Sequence, residues 1–165
     1  MSTPLIWIVI PLGFAGLLAL LHHKPQLSSI LTCIFSLGLV ILALAFPKDL
    51  AFIRPDQRID IPSSLVILNR TVQITGESLT FVAMLYAVTF LWNLGNSFFR
   101  VSAWFNALSL VITALWVAVL SVIPFLYAAL LIELIALLSV PLLSPRGTKT
   151  DRGLLRYIVF ETLAL

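Results

Sequence analysis

Glu133 is the residue of this chain with the clearest chemical potential. It lies in Tyr127-Ala-Ala-Leu-Leu-Ile-Glu133-Leu-Ile-Ala-Leu-Leu-Ser139, a single carboxyl group in an otherwise apolar run. Read as a membrane-crossing helix, that run puts about nine residues, or some 13 Å, between Glu133 and either end. The side chain is too short to reach the headgroups from there. Insertion scales charge about 2.5–3.5 kcal/mol for an acidic residue at the bilayer centre, so the group calls for a partner, a water-filled cavity or a proton. Hydrocarbon favours the neutral form of a carboxyl and a nearby cation favours the ionised form. A carboxyl whose cation comes and goes is therefore a proton-transfer switch. All ten basic residues fall in connections or at interfaces, so a cation would have to come from outside the spans. The plain alternative is a permanently protonated glutamate, hydrogen-bonded to a neighbouring helix. Ionisable residues at membrane depth are functional by default, and this favours the switch.

Arg156 and Glu161 are secondary candidates. Both lie in the last apolar run, Leu154-Leu-Arg156-Tyr-Ile-Val-Phe-Glu161-Thr-Leu-Ala-Leu165, where Glu161 is expected at the interface or paired with a nearby arginine. Other chemistries are excluded or weak. His22 and His23 end a helix, whereas bis-histidine haem ligation in a membrane anchor needs histidines at depth. Cys33 is the only cysteine, which rules out an internal disulfide and a cysteine-based metal site. No phosphate loop, dinucleotide fingerprint or nucleophile elbow occurs. The scattered basic residues, with a net charge of +3, form no nucleic-acid-binding stripe. No cofactor and no metal is expected.

The elements that must position Glu133 follow from composition. The chain is 61% hydrophobic and 10% charged, with a mean hydropathy of +1.11, far from the roughly 25% charged residues of a soluble domain. Its apolar runs predict an all-α integral membrane protein, a single membrane domain over 1–165. Helices are expected at about 4–21, 27–46, 79–96, 101–122 and 124–143, with the start of a sixth at 153–165. About 20 residues cover the ~30 Å hydrocarbon layer. Continuous apolar runs exclude a β-barrel, whose strands alternate. The first run lacks a basic leader and is long enough to span, so it is read as a helix and not a cleaved signal.

His22 to Pro25 and Pro47 to Asp49 punctuate the ends of the first two spans, and Pro124 separates the fourth and fifth so closely that they should form a tight antiparallel pair. Trp7, Trp92 and Trp104 are expected near headgroups, with Trp116 packed mid-span. Ala103 and Ala107, then Ala114 and Ala118, recur at a four-residue spacing that allows close helix approach.

The extramembrane segment 47–78 holds two short strands, at 65–68 and 71–75, around Asn69-Arg70, read as a small β-hairpin between the second and third helices. Lys24, Arg100, Arg146, Lys149, Arg152 and Arg156 share the opposite side. The rule that short basic loops stay cytoplasmic then turns the N-terminus and hairpin outward and loop 144–152 inward, across an energy-coupling membrane of the bacterial plasma-membrane type.

The order of these elements resembles a family. An outward hairpin leads into the third helix; a tight helix pair follows, with Ile132-Glu133-Leu134 in its second member, and a short basic loop gives Leu155-Arg156-Tyr157. This pattern, best from about 68 to 165, is similar to the antiporter-like membrane subunits of respiratory complex I and their relatives in Mrp-type cation/proton antiporters and hydrogenase membrane arms. The resemblance implies a proton-translocating subunit of an NADH:quinone oxidoreductase type of redox pump, with no redox site of its own. Its partners would be other membrane subunits and the lipid bilayer, with quinone reached only through those subunits. Glu133 corresponds to the family's fifth-helix glutamate, which forms a switchable ion pair with a lysine on a later, broken helix. The chain stops inside an apolar run, which is expected of an N-terminal portion or half of a split subunit. Pro141 also comes eight residues after Glu133, where several members of the family place a proline nearer. A small structural subunit, with Glu133 neutral and bonded within the bundle, is the competing reading. A tetraspan-like scaffold fits less well, given the fifth span and the beginning of a sixth.

Overall fold

A computed structural model describes residues 5–45, 64–67, 70–74, 76–99, 103–123, 126–143 and 152–164. Among the described residues there are six α-helices: α1 (Ile10–Leu20), α2 (Pro25–Ala45), α3 (Gly76–Phe99), α4 (Ala103–Ser121), α5 (Leu126–Leu143) and α6 (Arg152–Ala164). Among the described residues, three stretches are long and apolar enough to cross a membrane: Pro25–Ala45, Ser78–Phe98 and Trp104–Ser121. Ile6–Leu20 and Tyr127–Leu142 are shorter apolar helices. The protein is thus a helical bundle suited to membrane insertion. Large apolar side chains such as Ile34, Ile41, Phe81, Val88 and Leu91 point outward, as lipid-facing surfaces require.

Two strands, β1 (Ser64–Ile67) and β2 (Arg70–Gln73), pair antiparallel with Leu65 opposite Val72. Both begin a residue earlier than the sequence suggests. A third strand, β3 (Val122–Ile123), pairs with β2 between α4 and α5. Alternation could not reveal it, because two apolar residues at a helix end carry no period.

The first span departs most from expectation. It is not one α-helix but a π-helical turn (Leu5–Val9), then α1, then a 3₁₀ turn (Leu21–His23). Pro11 supplies the reason: in an α-helix its ring would clash with the Trp7 carbonyl four residues earlier, and it offers that carbonyl no N–H. The π turn ends just before it, and the Tyr86 hydroxyl donates to the Trp7 carbonyl from α3 at 2.6 Å. Trp7 is consequently 0% exposed, tilted against Tyr86 with ring centroids 6.1 Å apart. This corrects its expected headgroup position. Trp116, expected to be packed, is 38% exposed and faces out.

Around this clamp, Leu39, Ala43, Leu79, Val82, Ala83 and Val117 form an apolar cluster joining α2, α3 and α4. Ala15 and Leu18 of α1 meet Ala107 and Leu110 of α4. Small side chains here bring α1 and α4 together, and dispersion, not water exclusion, drives such packing in lipid.

Replacing Tyr86 with Phe should destabilise the bundle by about 1–2 kcal/mol. In the Pro11→Ala background, which restores an N–H to the first span, the same change should cost clearly less. Unfolding free energies of the four proteins in bicelles check the coupling; equal costs in both backgrounds would refute the assigned role of Pro11.

Candidate functional site

Glu133 is the eighth of the eighteen residues of α5. Helix geometry fixes the direction of its side chain. Ala128 and Ile135, seven residues apart, pack with Leu115 and Val119 of α4. Glu133 stands two residues before Ile135, about 200° round the helix, and so projects away from α4. It is exposed there beside Leu130, Leu134 and Leu137, which are all exposed and apolar. Among the described residues, none makes a hydrogen bond or ion pair with the Glu133 carboxyl. The arrangement is a carboxyl group at mid-helix on the outer surface of the bundle, with no counter-charge held against it among the described residues.

The neighbouring candidates are placed by α6, which turns back beside α5. The Tyr157 hydroxyl lies 3.2 Å from that of Ser139, itself bonded to the Ala136 carbonyl. Arg156 is exposed next to Tyr157. Ser139 is six residues, or roughly 9 Å, along α5 from Glu133, so the structure does not bring Arg156 to the carboxyl. Glu161 follows four residues, about one helical turn, after Tyr157 on α6, and its side chain lies outside the described ones. His23 and Lys24 are exposed at the connection of α1 and α2, far from this face.

The larger polar feature is one the sequence reading missed: a seam of neutral side chains inside α2, α3 and α4. It runs in three rungs. Asn96 Nδ2 donates to Asn106 Oδ1 at 2.7 Å, and Asn106 Nδ2 to Ser28 Oγ at 3.4 Å. Ser109 Oγ donates to Asn93 Oδ1 at 3.0 Å. The Thr89 and Thr113 hydroxyls share a hydrogen 2.5 Å apart. All seven residues are buried. Thr32 and Ser36 continue the polar face of α2, bonded to the backbone carbonyls of Ser28 and Thr32.

A signal for the seam was present in the sequence. Ser28, Thr32 and Ser36, then Thr89, Asn93 and Asn96, then Asn106, Ser109 and Thr113 each recur at helical spacing on one face. A hydropathy scan dilutes them among leucines, and a search for ionisable groups passes over them. Chemically, the seam can hold helices together and bind water, but it has no group that titrates near neutrality.

No protein-family model, characterised protein or solved structure matches this chain.

Asn106→Leu, which removes the acceptor of one Asn96 amide N–H and the donor to the Ser28 hydroxyl, should cost about 1–3 kcal/mol of bundle stability. Ser121→Ala, whose hydroxyl among the described residues bonds only to carbonyls of its own helix at Val117 and Ala118, should change stability by less than about 0.5 kcal/mol. Unfolding titrations in mixed micelles distinguish the two, and a near-neutral Asn106→Leu would show that the rungs do not bind the helices.

Proposed function

We propose that this chain is a proton-translocating, antiporter-like subunit, or the N-terminal portion of one, in the membrane arm of a complex I-type redox pump. The observation that carries the reading is Glu133 itself: mid-helix, on an apolar outer face, with no partner among the described residues. A carboxyl in hydrocarbon calls for a cation, a water-filled cavity or a proton. Its outward direction on α5 offers it to whatever packs there. The relay would work by docking a cationic group against Glu133, releasing its proton, and withdrawing that group to let a proton rebind. Redox energy would enter through other subunits, as the family resemblance implies.

The finer topology belongs to the same proposal. Five spans, an outward N-terminus and sheet, and an inward 144–152 loop accord with the basic residues that punctuate alternate connections. The apolar helices Ile6–Leu20 and Tyr127–Leu142 reach the full thickness only when their flanking turns are included. The structural-subunit reading requires Glu133 to be bonded within its own bundle, and among the described residues nothing bonds to it.

Glu133→Gln should leave assembly intact and lower proton pumping by about tenfold or more, since a positioned acid–base group contributes at least that much. Pumping is read as quenching of a pH-sensitive dye in inverted vesicles, with assembly checked by native electrophoresis. Undiminished pumping in a fully assembled complex would end the proposal.

A further inference from the structure

We propose that the polar seam is a one-sided water inlet, reaching from the membrane face where α3 ends and α4 begins to the middle of the bilayer. Three observations carry this. The first is unmet hydrogen-bonding capacity. An asparagine amide has two N–H donors and two acceptor lone pairs. Asn106 uses one of each, toward Ser28 and Asn96, and Asn93 uses one of each, toward the Thr89 carbonyl and Ser109. Ser29, buried on α2 beside Ser28, has a hydroxyl with no partner among the described residues. Polar groups of this kind, shut away from bulk solvent, are where buried water binds.

The second observation is position. The rungs climb α4 from Asn106, near its start at Ala103, through Ser109 to Thr113, about 10 Å in all. At the mouth, Lys24, Gln26 and Ser97 are exposed polar side chains. Thr113 and Glu133 lie eight and seven residues from the shared end of α4 and α5 at Ser121 and Leu126. The inlet therefore stops at the depth of the carboxyl, one helix away.

The third observation is closure. Beyond Thr89 and Thr113 the same three-helix interface becomes Leu39, Ala43, Val82, Tyr86 and Val117, all buried and packed as one cluster. Water entering at the asparagines meets an apolar plug, so the feature is an inlet and not a leak. Its occupant is water, and through water a hydrated proton. Hydration of the seam does not depend on whether Glu133 titrates.

Silver-ion labelling of single cysteines in a Cys33→Ala background tests it, in sealed vesicles of each orientation. A thiol held in a dry apolar site stays neutral and unreactive. Ser28→Cys and Ser109→Cys should react on the order of tenfold faster than Val117→Cys, from one membrane face only. Equal slow labelling at all three positions, or equal labelling from both faces, overturns the inlet. In the unsubstituted chain in bilayers, magnetisation transfer from water should reach the Asn93 and Asn106 side-chain amides as it reaches surface Gln26. Transfer to Gln26 alone means a dry seam. Both measurements repeated on Glu133→Gln should be unchanged, which separates failure of the inlet from failure of the relay.

Discussion

Hydrocarbon offers a polar group no hydrogen bond, so each one inside this bundle must be met by another part of the protein or by something admitted to it. Three cases show the constraint at different strengths. Pro11 denies the Trp7 carbonyl its helical donor, and Tyr86 reaches across from α3 to supply one. Asparagines, serines and threonines of α2, α3 and α4 meet one another, though not completely. Glu133 is met by no described residue. The fold settles the first case, partly settles the second and leaves the third to the surroundings of the chain.

The same constraint divides the bundle lengthwise. One half of the α2–α3–α4 interface is apolar and clamped by the buried Trp7–Tyr86 pair; the other half is a ladder of neutral polar side chains. Interhelical hydrogen bonds in lipid average well under 1–2 kcal/mol each, because the separated helices also find partners. The ladder therefore fixes the register of α3 against α4 more than it stabilises the bundle. A neutral ladder also avoids the cost of placing charge at depth. α5 stands apart from it, held to α4 by Leu115, Val119, Ala128 and Ile135, and this leaves the Glu133 face clear.

Much of the architecture was legible in the sequence, because apolar runs of spanning length have few alternative meanings. The helices α2 to α6 begin and end within about three residues of their expected limits, where prolines and charged residues punctuate the runs. Glu133 was legible for the same reason: a lone acid in an apolar run stands out by composition. What could not be read was anything set by contact between distant residues. The burial of Trp7 depends on Tyr86, 79 positions away. The strand β3 exists only because β2 lies beside it.

By itself, then, the sequence determined the helical class, the approximate helix limits and the place of one carboxyl within its helix, since each depends on local runs and a fixed rise per residue. Only the tertiary structure decided which side of α5 meets α4, and hence that Glu133 faces outward. It alone decided that three separate sets of small polar residues share one interior. Direction and juxtaposition come from packing between helices, and the periodicity of a single helix leaves its rotation about its own axis undetermined.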